Sequence, residues 1–143
     1  MKIYLLPLEQ FEIETANTFP ELAQIALIVM VRQPQPLGIL SGPLTTGGLG
    51  QEKNFKAFKW YLEHLAKQGI ELFNQMPFEP AMARICNSPY FKDGQQLLNE
   101  FYLPLFESGL FTAMYFIPGY KTSNGASWEH EQAKRLGIDR IYL

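Results

Sequence analysis

The sequence predicts an α/β fold in three layers, with a mainly parallel sheet of four or five strands lying between helices. Three observations lead there. Short strand-like runs at 37–41, 70–73, 110–117 and 139–143 alternate with stretches of helical period. The run 110–117 is apolar along nearly its whole length, as suits a strand covered on both faces of a parallel sheet. Behind it, Pro118-Gly119 and a polar loop, Tyr120-Lys121-Thr122-Ser123-Asn124-Gly125, open into a helical pattern that runs from Ala126 to Leu136 and closes at Gly137. This strand-loop-helix junction carries a carboxylate, Glu129, in what reads as the first helical turn, and Gly125 and Ala126 leave space beside it.

Composition narrows the class. With 143 residues, 47% hydrophobic and 18% charged, the chain can bury the core of one domain. A net charge of −2 and the lack of any Lys/Arg cluster argue against nucleic acid or acidic lipid as a partner. The single cysteine, Cys86, forms no internal disulfide and suits a reducing compartment. The most apolar run, 25–31, falls far short of the ~20 residues of a membrane span. The N-terminal residues do not read as a signal peptide. A cytoplasmic protein without membrane contact is expected, with most aromatic residues, Trp60 and Trp128 among them, packed inside.

In chain order, residues 1–6 read as a short strand. Thr18 or Asn17 caps a helix over 20–31, with Pro20 placed early, where its missing N–H costs nothing. Pro34 and Pro36 make an extended connector, so 1–36 reads as a β-α extension and 37–143 as the domain proper. The strand 37–41 runs into a loop, 42–50, that holds four glycines, Thr45 and Thr46. From Asn54 a helix places Phe55, Phe58, Leu62 and Leu65 on one face and stops at Gly69. Residues 79–85 fit two helical turns. Asp93 caps a helix bearing Leu97, Leu98, Phe101 and Tyr102, which Pro104 should kink or restart before Ser108-Gly109 ends it.

If the strand order is the flavodoxin-like 2-1-3-4 of a Rossmann-like sheet, the strands beginning at Leu37 and Leu110 are neighbours at the switch point. Ligands bind there, at the carboxyl ends of the strands. The loops 42–50 and 118–125 then face each other across one crevice.

The residues that arrive at this crevice carry a resemblance. GILSGPLTTGG, the Asn-Phe-x-x-Phe helix start (Asn54, Phe55, Phe58) and PGYKTSNGASWEHEQAKRLGI together resemble the nucleoside 2-deoxyribosyltransferase-like superfamily. The nearest branch is its small phage and bacterial members, which carry GPMTG after a strand and a later PGW-x-x-S-x-G-A-x-x-E helix. The resemblance spans 37–143. It implies N-glycosidic chemistry on a deoxyribonucleoside or its 5′-monophosphate, without a cofactor. Glu129 would attack the anomeric carbon, the base would leave, and water or a second base would take the sugar. The resemblance also implies that Gly42, Thr45, Thr46, Gly47, Ser123 and Gly125 hold the sugar 5′ end, and that Asn54 belongs to the site. Tyr120, where the family has tryptophan, would line the base pocket. A homo-oligomer is implied as well. Two departures stand out. Thr112 occupies the position of an aspartate found in many relatives, and the family's fifth strand is missing, leaving an edge that residues 1–6 would fill. The alternative reading is a catalytically inactive nucleotide-binding protein on the same fold.

Other polar residues read as structural. His130 and Glu131 directly follow Glu129, and successive side chains on a helix point apart, so His130 is expected to face solvent. His64 lies on the polar side of its helix. Two scattered histidines and one cysteine give no metal-ligand spacing, so no metal is expected. The loop 42–50 lacks the Gly-Lys-Ser/Thr of a Walker loop, Ser123 has no triad partners, and Asn54 could serve as a helix cap.

Overall fold

A computed structural model describes residues 4–143, which fall into two compact units. One unit, 34–74 with 111–143, holds the whole sheet; the other, 4–33 with 75–110, is helical. The partition differs from a simple extension followed by a domain. The N-terminal helices group with the segment inserted between the second and third strands.

In the sheet unit, β1 (Leu37–Ser41), β2 (Leu72–Phe73), β3 (Phe111–Phe116) and β4 (Asp139–Tyr142) pair in parallel in the order β2-β1-β3-β4, the α/β arrangement that the alternation of strands and helices predicts. β1 is buried at all its positions and runs in register with β3 from Gly38↔Ala113 to Ser41↔Phe116, after a bulge at Leu37/Gly38. No side chain fits at Gly38, where a Cβ would lie 2.9 Å from the Tyr115 ring and 3.1 Å from the Ala113 carbonyl oxygen. The steps β1→β2 and β3→β4 go in opposite directions. Right-handed crossovers therefore put α3 (Gln51–Lys67) on one face and α7 (Asn124–Leu136) on the other.

Each helix buries one stripe: Phe58, Leu62 and Leu65 on α3, and Ala126, Glu129 and Ala133 on α7. Trp60 falls between the α3 stripe positions. It is therefore 57% exposed, stacked on His64 at 4.7 Å, rather than packed inside. β3 is also less covered than its apolar sequence predicts, with Thr112 exposed and Ala113 and Tyr115 half-buried. Its neighbour β4 is exposed at every position, so the sheet is thinly covered on that side.

The helical unit begins differently from the expected strand. Residues 1–3 lie outside the described residues, 4–6 are not in a strand, and α1 (Pro7–Thr15) follows at once. No described residue before Leu37 joins the sheet, so residues 4–6 do not fill its edge. Pro7 opens α1, where it has no N–H to lose, and the Leu6 N–H donates to Glu9 Oε1 at 2.9 Å. Arg32, at the end of α2 (Phe19–Arg32), grips the same carboxylate through bonds of 2.6 and 3.0 Å and holds Glu9 below the usual carboxylate range. Thr18 caps α2, accepting from the Glu21 N–H at 3.3 Å.

From α4 (Glu79–Cys86), Arg84 donates to the carbonyls of Ile13 and Ala16 at 3.1 and 2.6 Å, satisfying the end of α1. Asp93 caps α5 (Gly94–Leu97), which continues through a π turn (Leu98–Tyr102) into α6 (Leu103–Glu107) without a break. The widened turn, in which the Leu103 N–H reaches back to the Leu98 carbonyl, lets the helix pass Pro104, whose ring would otherwise press on the preceding turn. Phe101, Tyr102, Leu105 and Phe106 are buried along it, and the Phe101 ring lies 5.5 Å from Phe78.

Burial pushes the Glu79 carboxyl up to about 7. In an unfolded chain it would titrate near ~4.3. Between those values the folded state binds more protons, so the free energy of unfolding falls as pH rises from about 4 to 7, and the penalty is complete above 7. The stability of Glu79→Gln relative to the parent chain, read by urea unfolding, is therefore expected to improve steadily from pH 4 to pH 8. A difference that stays constant with pH would show that Glu79 does not titrate this way.

Candidate functional site

The loop 42–50 owes its shape to one side chain. α3 starts at Gln51, and the Asn54 N–H bonds to the Gly50 carbonyl at 2.9 Å, so Asn54 lies inside the helix rather than capping it. Its buried carboxamide reaches back over the loop. Oδ1 accepts from the Leu49 N–H at 3.0 Å, and Nδ2 donates to the carbonyls of Leu44 at 3.2 Å and Gly47 at 3.0 Å. Three points of a glycine-rich loop are thus tied to one rigid helix, and the loop is held rather than flexible.

The held loop closes on the second one. Thr46 Oγ1 lies 3.2 Å from Ser123 Oγ, and the Gly48 N–H donates to Thr122 Oγ1 at 2.8 Å. Gly47, at φ +70°, sits against the Thr122–Ser123 peptide so closely that a Cβ would lie 2.7 Å from the Ser123 nitrogen. Gly42 packs against Ile117, where a Cβ would stand 2.8 Å from that side chain. Thr45 is exposed on the same loop. The two loops do face each other as the strand order predicts. They meet there in direct contact instead of bounding an open crevice.

Ser123 fixes the start of α7. Its Oγ accepts from the Ala126 N–H at 3.2 Å and its carbonyl from the Ser127 N–H at 3.0 Å, so the helix begins at Asn124, two residues earlier than the sequence pattern suggests. Gly125 therefore lies inside the first turn and Glu129 in the second. Gly125 and Ala126 precede Glu129 by four and three residues on the same helix face, which keeps that face small-sided. Glu129 itself is only 8% exposed.

Another buried polar group stands at this end of the sheet. Ser41, the last residue of β1, is 1% exposed, and its hydroxyl has no hydrogen-bond partner among the described residues. The sequence places Ser41 at the end of the strand but gives no sign that its hydroxyl is buried without a partner, which depends on tertiary packing. Thr112 is at the other end. It donates to the Leu37 carbonyl at 3.3 Å, near the amino end of β3, roughly 13 Å below the carboxyl end at ~3.3 Å per residue. Its lack of a carboxylate removes nothing from the loop junction.

Tyr120 joins a different group. Its ring lies 4.9 Å from Phe116 and stacks on His130 at 5.2 Å, and His130 Nε2 lies 2.7 Å from the Tyr142 hydroxyl. His130 is therefore half-buried in a ring cluster and not simply solvent-facing, because β4 brings Tyr142 over that side of α7. Loss of solvation, with electrostatic interaction with Tyr142 and a hydrogen bond that Tyr120 donates to it, raises the Tyr120 phenol above its ordinary value, while Arg140 opposes the rise. Among the described residues, no three His, Cys, Asp or Glu side chains are grouped to hold a metal ion, and no helix is long and apolar enough to cross a membrane. No family model, curated protein or solved structure matches this chain.

The junction generates a stability prediction. Asn54→Asp keeps the acceptor for Leu49 but sets a second oxygen against the Leu44 and Gly47 carbonyls. It is expected to cost about 2–3 kcal/mol at neutral pH, in line with the loss of paired buried donors. The loss should shrink in acid, where protonation restores a donor. Chemical denaturation at pH 7 and pH 4 measures both; equal stability to the parent at pH 7 would contradict the role given to Asn54.

Proposed function

We propose that this chain cleaves or transfers the N-glycosidic bond of a deoxyribonucleoside or deoxyribonucleoside 5′-monophosphate, with Glu129 as nucleophile. One observation carries the reading. Two motif loops, distant in sequence, meet through Thr46 and Ser123 at the N-terminus of α7, just ahead of a buried carboxylate. A Glu129 oxygen would bond to the anomeric carbon as its bond to the base nitrogen breaks. The carboxylate would balance the charge of the oxocarbenium-like transition state, and water or a second base would then displace it. The departing base needs a proton. The Tyr120 phenol on the loop is the candidate donor, and its raised pKa makes that transfer harder than from a free tyrosine.

The sugar 5′ oxygen or phosphate would lie at the N–H groups that open α7, taking over the bond that Thr46 and Ser123 now share. The Ser41 hydroxyl supplies a further donor at the end of β1. The closed contact between the loops also favours the second reading, a protein that binds a nucleotide without turning it over.

Chromatography of deoxyribonucleosides and their 5′-monophosphates, incubated with the protein with and without an acceptor base, separates the two. Released or exchanged base that Glu129→Ala abolishes supports catalysis. Nucleotide-induced thermal stabilisation without base release supports binding alone, and neither effect on the whole panel rejects both. Ser41→Ala is expected to leave the free protein as stable or stabler, since it removes a buried hydroxyl without a partner, and to weaken nucleotide binding about tenfold. Unchanged binding in that variant would exclude Ser41 from the site.

A further inference from the structure

We propose that the groove between α7 and β4 is a second binding site, next to the Tyr120 ring, for a phosphate monoester with a flat organic group. Lys134 and Arg140 would hold the phosphoryl oxygens and Tyr142 would pack against the organic group. The groove has a volume of about 280 Å³ and is lined by Ala133, Lys134, Gly137, Arg140 and Tyr142, with Ile138 and Asp139 at the turn between the two elements. That volume is more than an inorganic phosphate fills and sits at the small end of ligand sites, which begin near ~300 Å³.

The arrangement follows from the local fold. His130, Ala133, Lys134 and Gly137 recur at three- and four-residue intervals and share one face of α7. Arg140 and Tyr142 alternate with Asp139 and Ile141 and share one face of β4. As the crossover helix, α7 runs back against the direction of β4. The hydrogen bond of 2.7 Å between His130 and Tyr142 fixes the relative level of the two elements. Four residues down the helix is ~6 Å and two residues down the strand is ~6.6 Å. Lys134 therefore comes level with Arg140.

Two cations are thus set side by side, and among the described residues neither forms a salt bridge. Asp139 is the one acid lining the groove, and strand alternation turns it away from Arg140. Like charges brought together without a counter-ion favour a bound anion, and a phosphoryl dianion offers several acceptors to such a pair. Gly137, at φ +70°, closes α7 at one end of the groove. The exposed Tyr142 ring, backed by Phe116 at 5.7 Å and by His130, gives a flat wall next to the cations.

Calorimetric titration of the full chain with phenyl phosphate, inorganic phosphate and phenol tests this. Phenyl phosphate is expected to bind more tightly than inorganic phosphate, and phenol not to bind. Lys134→Gln and Arg140→Gln should each weaken phenyl phosphate roughly tenfold, as expected for a lost charge-assisted bond. Tyr142→Leu should bring phenyl phosphate down to the affinity of inorganic phosphate and leave the latter unchanged. Glu129→Gln should alter none of these affinities, which distinguishes this groove from the N-glycosidic site. The proposal is overturned if phenyl phosphate does not bind, if binding survives the Lys134→Gln/Arg140→Gln double change, or if Glu129→Gln abolishes it.

Discussion

Three hydrogen bonds at the Asn54 carboxamide hold the loop junction of the sheet unit in shape. They are made by one buried side chain on α3 to the backbone of the loop that follows β1. A loop with four glycines has much conformational freedom to lose, and the amide offsets that loss by satisfying two carbonyls and one N–H that water would otherwise have to serve. With the loop fixed, Gly47 fits against the Thr122–Ser123 peptide, where any side chain would collide. Ser123, fixed in turn, caps α7 and sets the helix phase. That phase turns Glu129 into the buried stripe and His130 toward β4. The orientation of both candidate sites therefore traces back to Asn54.

Much of the sheet unit was legible in the sequence, for a simple reason. β1 is buried on both faces and reads as an unbroken apolar run, and α3 buries a regular stripe that the 3.6-residue period reveals. α1 was illegible because its burial does not follow its hydrophobicity. Leu8 and Phe11 are 65% and 60% exposed, while Glu9 is buried against Arg32. The grouping of 4–33 with 75–110 was hidden as well, since it depends on tertiary partners such as Arg84 and the α1 carbonyls, which lie about seventy residues apart. The strain expected at Pro104 spread into the π turn before it, a choice that depends on how Phe101 and Tyr102 are buried.

At the candidate site, the motifs name residues without showing how they are occupied. Asn54, Thr46, Gly47 and Ser123 do come together, yet they serve one another through hydrogen bonds and close packing. Spacing alone says which residues a junction brings near; whether they clasp or stand apart depends on sub-ångström fit. Successive helical side chains diverge, and His130 and Glu129 do so on α7. That divergence does not say what occupies the far side, where the parallel pairing of β4 puts Tyr142. Thr112, which looked like a lost catalytic position, lies at the opposite end of β3 from the loops.

Amide hydrogen exchange at Gly48 and Leu49 tests most directly whether the glycine-rich loop is a clasp held by Asn54. Their N–H groups bond to Thr122 Oγ1 and Asn54 Oδ1, on a segment whose residues are otherwise exposed. Both amides are expected to exchange far more slowly than those of an open loop, together with the Ala126 amide that Ser123 caps, and Asn54→Ala should release Gly48 and Leu49 together. Exchange of Gly48 and Leu49 at the rate of an unstructured glycine-rich segment in the parent chain would contradict the account.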